Sequence, residues 1–192
     1  IKKGIGSDDF SSKDIGPGNC LIDSWVRKNT NKKFDIDGKI SMSGKKNEII
    51  LEQAQELYAN RLNKNKLSFD VGDFDISFAR GLSLQDGAAT LTEFTANLIS
   101  EALTENLSEH NIKKILLCGG GRKNLDLIKK KKRNLSNYMQ LELIDNYKID
   151  GDFIESQAFA FFAIRSHLKL PISFPNTTGC NKACTGGELI EN

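Results

Sequence analysis

The sequence predicts an α/β fold, and three observations carry that prediction. Apolar residues recur at helical spacing along several stretches of the chain. The run Ile112-Lys113-Lys114-Ile115-Leu116-Leu117-Cys118 reads as a buried strand and opens straight into Gly119-Gly120-Gly121. A basic helical stretch, a second short strand pattern and a further helix then follow, which is the alternation of a sheet with helices packed on it.

Taken in order, residues 1–13 are polar, and Asp14-Ile15-Gly16-Pro17-Gly18-Asn19 is a dense turn signal. Leu21, Ile22, Trp25 and Val26 then form one apolar stripe, which predicts a helix. Residues 30–44 are rich in Asn, Lys, Asp and Gly and read as a loop. A second helix is expected over 46–62, with Ile49, Ile50, Gln53, Ala54, Leu57 and Leu62 near one face. Residues 63–83 fit no single template, although Phe69, Phe74, Ile76 and Phe78 should be buried. Asp86 is expected to cap a third helix over 87–110, carried by Leu91, Phe94, Leu98, Ala102 and Leu107. After the strand at 112–118 come a basic helix over 123–134, a strand at 140–144 and a helix over 153–168. The apolar positions of that last helix are Phe153, Ala158, Phe161, Phe162 and Ile164. Beyond Pro171 and Pro175 the tail should be mostly loop.

Composition excludes several classes. With 192 residues, 39% hydrophobic and 27% charged, the chain has room for one ordinary domain or two small lobes. A net charge of +2 is too balanced for a nucleic-acid or membrane-surface protein. No apolar run approaches the roughly 18 residues that span a bilayer. Cys20, Cys118, Cys180 and Cys184 lack the spacing of a zinc site, and His110 and His167 stand near no cysteine pair. They read as reduced thiols of a cytoplasmic protein.

Three places can carry chemistry. The strand ending in Gly119, Gly120 and Gly121 offers bare backbone N–H groups that a phosphate or an adenine ring can approach; the same triplet also makes a plain strand-to-helix turn. At Asp14 a carboxylate stands at the mouth of a glycine turn in which Gly16 and Gly18 expose N–H groups. Asn19 can cap the helix or bond a phosphate oxygen there. Asp14 can bind Mg²⁺ through water or accept a proton, or it can simply form an Asx-turn. In Asp150-Gly151-Asp152-Phe153-Ile154-Glu155, the acids suit a helix dipole, and Glu155 stands three residues after Asp152 as in a capping box. The run Lys129–Arg133 lacks interleaved aromatics and reads as a solvated helix face.

Together these stretches resemble the anhydro-N-acetylmuramic acid kinases. Asp14-Ile15-Gly16-Pro17-Gly18-Asn19 with Leu21-Ile22-Asp23-Ser24-Trp25 is similar to one family segment. Phe34-Asp35 with Asp37-Gly38 and Ser43-Gly44-Lys45 is similar to a second, and Ala89-Thr90-Leu91-Thr92-Glu93-Phe94-Thr95-Ala96 to a third. Cys118-Gly119-Gly120-Gly121 with Asn124 resembles a fourth, and Gly151-Asp152-Phe153-Ile154-Glu155 with Ala158-Phe159-Ala160 a fifth. Leu170-Pro171, Phe174-Pro175 and Thr177-Thr178-Gly179 complete the order. Ile15 stands where the family usually has Thr, and Lys66–Asp70 lacks a Gly and an Arg expected there.

The resemblance implies an actin/hexokinase-like ATPase of ribonuclease H-like fold, in which two α/β lobes flank a cleft. It implies ATP- and Mg²⁺-dependent conversion of 1,6-anhydro-N-acetylmuramic acid to N-acetylmuramic acid 6-phosphate, with hydrolytic opening of the anhydro ring. The setting is peptidoglycan recycling in the cytoplasm. By position, Asp14 is then the general base. Gly119, Gly120, Gly121 and Asn124 are nucleotide contacts, Gly16 and Asn19 lie near the phosphates, and Glu155 is a candidate for the substrate cleft. Metal ligands are not assigned. The family is roughly twice this length, so residues 1–192, which start at Ile1, are expected to be a C-terminal lobe without its N-terminal one. The expected partners are the amino sugar, the missing half and a possible second copy, with neither nucleic acid nor membrane. The alternative is a non-catalytic nucleotide- or sugar-binding fragment.

Overall fold

The computed structural model describes residues 10–62, 71–106, 113–188 and 190. They fall into two units, Ile15–Gly151 and a smaller one that joins Ile1–Asp14 to Asp152–Asn192.

In the larger unit the apolar stripe at Leu21, Ile22, Trp25 and Val26 becomes the buried face of α1 (Cys20–Asn29). The stretch expected to be loop contains a 3₁₀ turn at Ile36–Gly38 and a one-turn helix, α2 (Lys39–Ser43). Composition concealed α2 because its start is built by a side chain. Buried Asp35 accepts hydrogen bonds from the backbone N–H of Ile40 at 2.8 Å and of Ser41 at 2.9 Å, which satisfies donors that a helix start leaves open. Helix α3 spans Glu48–Leu62. The expected burial on it holds at Ala54, whereas Ile49 and Leu57 are exposed; Leu51 and Tyr58 face inward instead.

Helix α4 (Leu84–Asn106) is the centre of this unit and touches α1, α2 and α3. Leu91, Phe94 and Leu98 are buried as expected. The helix begins three residues before the expected start. Ser83, not Asp86, supplies the cap, through Oγ accepting from the Asp86 N–H at 3.1 Å. Asp86 sits in the first turn and instead accepts from the Lys45 N–H at 2.8 Å. Tyr58 stacks on Phe74 with centroids 5.3 Å apart and tilts against Phe94 at 5.2 Å. Phe78 meets Phe94 at 5.2 Å. Burying a ring such as Phe94 contributes about 2–3 kcal/mol. Trp25 packs against α4, where a Cβ on Gly87 would stand 2.3 Å from its ring. Its Nε1–H donates to the Leu84 carbonyl at 2.9 Å. Two 3₁₀ turns occupy Val71–Asp73 and Ser77–Ala79; the expectations for Phe69 and Leu107 lie outside the described residues.

Strand β1 (Lys113–Leu117) leads through a 3₁₀ turn at Gly120–Lys123 into α5 (Leu125–Asn134) and then β2 (Met139–Leu143). The strands pair in parallel, with Lys113 opposite Met139 and Leu117 opposite Leu143. This β-α-β unit is the arrangement the alternation predicted. Two departures have physical causes. Strand β1 is half-buried rather than buried: its residues alternate between partly buried and exposed, so one face of the two-stranded sheet is open. The basic run is not simply solvated. Lys131 is buried, Lys130 pairs with Asp126 at 2.5 Å, and Arg133 bonds the buried Glu93 of α4. Burial pushes the Lys131 ammonium below its usual pKa.

The smaller unit contains α6 (Ile154–His167) and, where a loop was expected, a single turn of helix, α7 (Pro175–Thr178). Pro175 fits the first turn of α7, and Thr177 Oγ1 accepts from the Phe174 N–H at 3.2 Å. Ser173 and Cys184 pair across an antiparallel bridge, and Phe10 packs edge-on against Phe174 at 4.9 Å. No residue of α6 is buried; Phe159 is 66% and Ile164 60% exposed.

Candidate functional site

The turn before α1 and the turn after β1 approach each other. Pro17 accepts from the Cys20 N–H at 3.1 Å, and Gly18 takes the left-handed φ of +57° that closes the turn. Asn19 follows, and it does not cap α1 with its side chain. Its Nδ2 instead donates to Asp23 Oδ2 at 2.5 Å, which turns the amide toward the glycines after β1. A Cβ on Gly121 would lie 3.6 Å from Asn19 Oδ1, and one on Gly120 3.9 Å from Nδ2.

Past β1 the chain reverses at Gly119, with φ +73°, and enters the 3₁₀ turn. Asn124 then caps α5, its Oδ1 accepting from the Leu127 N–H at 3.0 Å. Gly38 is pressed onto this cap: its φ is +71°, and a Cβ there would meet Asn124 Oδ1 at 2.4 Å. A glycine is therefore required on both grounds, and the 36–38 turn is drawn to the start of α5.

These turns enclose a cavity of about 290 Å³ lined by Asn19, Asp23, Phe34, Asp35, Ile36, Asp37, Gly120, Lys123 and Asn124. It opens at the carboxyl end of β1, the usual ligand position on a parallel sheet. Asp23, Asp35 and Asp37 share its wall with Lys123. Burial pushes the Asp23 carboxyl above its usual pKa, against the pull of Arg27 and of the Asn19 amide. Phe34 and Ile36, each about half exposed, supply an apolar wall. The wall thus offers hydrogen-bond acceptors and an apolar surface, suited to a ligand with hydroxyl donors and a flat ring.

Of the residues singled out from sequence, Asn19, Gly120 and Asn124 come together on this cavity, and Gly121 stands behind Asn19. Gly119 begins the turn. Gly16 has a packing role, since a Cβ there would stand 3.2 Å from Ile99 of α4. Asp14 belongs to the smaller unit and is exposed. Glu155 is exposed in the first turn of α6. The cap position of that helix is Phe153, with no side-chain cap bond, and not Asp152 as the capping-box spacing suggests. Among the described residues no group of three or more His, Cys, Asp or Glu is placed to hold a metal ion. Sequence reasoning assigned no site role to Asp23, Phe34, Asp35, Ile36, Asp37 or Lys123. The clue was Asp35-Ile36-Asp37-Gly38, two acids in a turn that needs glycine.

The fold is α/β with a small parallel sheet, and the candidate cavity lies among glycine turns at a strand's carboxyl end. Comparison with known proteins makes this specific. A family model described as anhydro-N-acetylmuramic acid kinase matches residues 6–192. A protein of that name from Pelagibacter ubique (strain HTCC1062) is 50% identical over 188 residues, 97% of this chain and 50% of the relative. One from Zymomonas mobilis is 35% identical over 189 residues, 96% of this chain and 50% of the relative. A third, from Rhodospirillum rubrum, is 36% identical over 176 residues, 91% of this chain and 45% of the relative. The chain belongs to the anhydro-N-acetylmuramic acid kinase family, and it spans about half the length of these relatives.

Proposed function

We propose that this chain is the C-terminal part of a two-lobed sugar kinase with the actin/hexokinase-like, ribonuclease H-like ATPase fold. The whole enzyme uses ATP and Mg²⁺ to convert 1,6-anhydro-N-acetylmuramic acid to N-acetylmuramic acid 6-phosphate, opening the anhydro ring with water. Its setting is peptidoglycan recycling in the cytoplasm. The observation that carries the reading is the meeting of Asn19 from one motif with Gly120 and Asn124 from another on one cavity of a chain in this family.

The character of that cavity favours the nucleoside end of ATP. Asp23, Asp35 and Asp37 would repel a triphosphate, Asp23 and Asp37 can accept from ribose hydroxyls while Asp35 is held by the Ile40 and Ser41 N–H groups, and Phe34 and Ile36 offer a surface to the base. Gly119, Gly120 and Gly121 allow the nucleotide close to the main chain, while Gly16 and Asn19 lie toward the phosphates. Mg²⁺, bound with ATP, would neutralise phosphate charge. Asp14 takes a proton from water as the oxygen attacks the anomeric carbon. The C1–O6 bond breaks, O6 takes the γ-phosphoryl group, and ADP leaves. Glu155 is assigned to the sugar side of the cleft.

The exposed apolar side chains of α6, among them Phe159, Phe162 and Ile164, support a covering partner. The remaining half of the family's length is that partner, and a second copy is the other occupant to test by sedimentation. The deciding experiment compares full-length protein with its Asp14→Asn variant, with MgATP and the anhydro sugar, and follows ADP and sugar phosphate. Asp14→Asn is expected to lower kcat by about 10²–10⁴-fold while ATP still binds. Near-normal turnover in the variant overturns the base assignment, and a wild type without turnover overturns the kinase reading.

A further inference from the structure

We infer that Arg122 is a positioning residue for the nucleotide site: it locks the triple-glycine turn to the segment 145–151 and so fixes the backbone the nucleotide meets. The inference rests on the reading that the cavity takes a nucleotide.

Three successive glycines have the freest backbone a chain can offer. A turn of this kind presents its N–H groups in one arrangement only if something outside it holds it. Arg122 is that restraint. It sits in the turn between Gly120 on one side and Lys123 and Asn124 on the other, all three lining the cavity, yet its own side chain is buried outside that wall. Nε donates to Asp145 Oδ2 at 2.8 Å and the Nη2 group to Asp145 Oδ1 at 2.9 Å, a two-pronged pairing of planar groups. The Nη1 group donates to the Gly119 carbonyl at 3.0 Å.

The partner segment closes the ring of bonds. The Gly119 N–H donates to the Gly151 carbonyl at 2.9 Å. The Gly151 N–H reaches Asp145 Oδ1 at 3.4 Å. Gly151 lies against the guanidinium so closely that a Cβ would stand 2.4 Å from Nε. Asp150 Oδ1 is 3.8 Å from the Nη2 group. Arg122 therefore bonds to the first glycine of the turn and to the segment that accepts that glycine's N–H. Neither Arg122 nor Asp145 is in the cavity wall, so any effect they have on ligand passes through the glycines. A lysine could keep the charge pairing but not the fork.

The test uses full-length protein and reads nucleotide affinity with a fluorescent ATP analogue alongside steady-state kinetics. Arg122→Met is expected to raise the Kd and KM for ATP about tenfold, with kcat and the KM for sugar little changed. Arg122→Lys should recover part of that loss. Asp145→Asn, at a residue on the surface, should weaken ATP in the same direction, and it decides the matter if Arg122→Met does not fold. A purely structural role would lower the melting temperature and leave ATP affinity untouched. Folded variants that bind ATP as the wild type does overturn the positioning role and leave the nucleotide reading intact. A wild type that binds no ATP overturns that reading and this inference with it.

Discussion

At the scale of single residues, Asp145 shows how one guanidinium sets an acid's behaviour. The two hydrogen bonds from Arg122 hold its carboxyl well below the usual carboxylate range. A carboxylate with a depressed folded pKa contributes stability above its unfolded value, near 4, and loses it as pH falls through the lower folded value. The melting temperature should therefore fall on the acid side as pH drops below about 4. Asp145→Asn should flatten that limb, and a limb unchanged by the substitution would remove Asp145 from the account. This pairing had no signature in the sequence, since Arg122 and Asp145 are 23 positions apart. Asn124 was legible because its role is local, a helix start next to glycines. Asp35 was not: its buried carboxylate acts on N–H groups five and six positions ahead, inside a stretch whose composition says loop.

At the scale of elements, α4 was legible because it is the hub. Leu91, Phe94 and Leu98 keep helical spacing and are buried, while packing against α1, α2 and α3 also buries Thr90, Thr92 and Thr95, which no apolar pattern marks; the start and the cap of α4 differ from the sequence expectation. Its contact with α1 is set by Gly87. Gly87→Ala would place a methyl group inside the van der Waals radius of Trp25 and should cost about 1–3 kcal/mol. Urea denaturation followed by fluorescence measures this, and an unchanged midpoint would mean the ring moves aside freely. The burial of the basic helix α5 is hidden in its sequence. Its charges look solvated in one dimension, yet the fold turns Arg133 toward Glu93 and buries Lys131. The mixed burial of β1 follows from a sheet with one face open.

At the scale of the whole molecule, the two units differ in how fully they bury their apolar residues. Residues 15–151 enclose a continuous core around α4. In contrast, α6 keeps Phe159, Phe162 and Ile164 exposed, although the sequence pattern asks for burial at Phe162 and Ile164. That mismatch agrees with a chain spanning half the length of its relatives. Replacing Phe159 and Phe162 with serine should reduce dye binding and aggregation of the isolated chain. In the full-length protein the same pair should cost stability, about 3–5 kcal/mol for each fully buried ring. If the isolated chain gains nothing in solubility, the apolar face is not what limits it. The fold class and the order of helices and strands were readable because they rest on periodicity. The cavity was readable only in part, because its acidic wall comes from a turn that folding alone brings to the glycines.

The lone indole of this chain has a use beyond packing. Trp25 sits two turns along the helix that Asn19 introduces, sealed from water and tethered to Leu84. Its emission is therefore a native, label-free optical reporter, a single chromophore on the rod whose tip borders the cavity. Titrating adenosine or ATP while recording that emission tests the proposed nucleotide binding without a coupled assay.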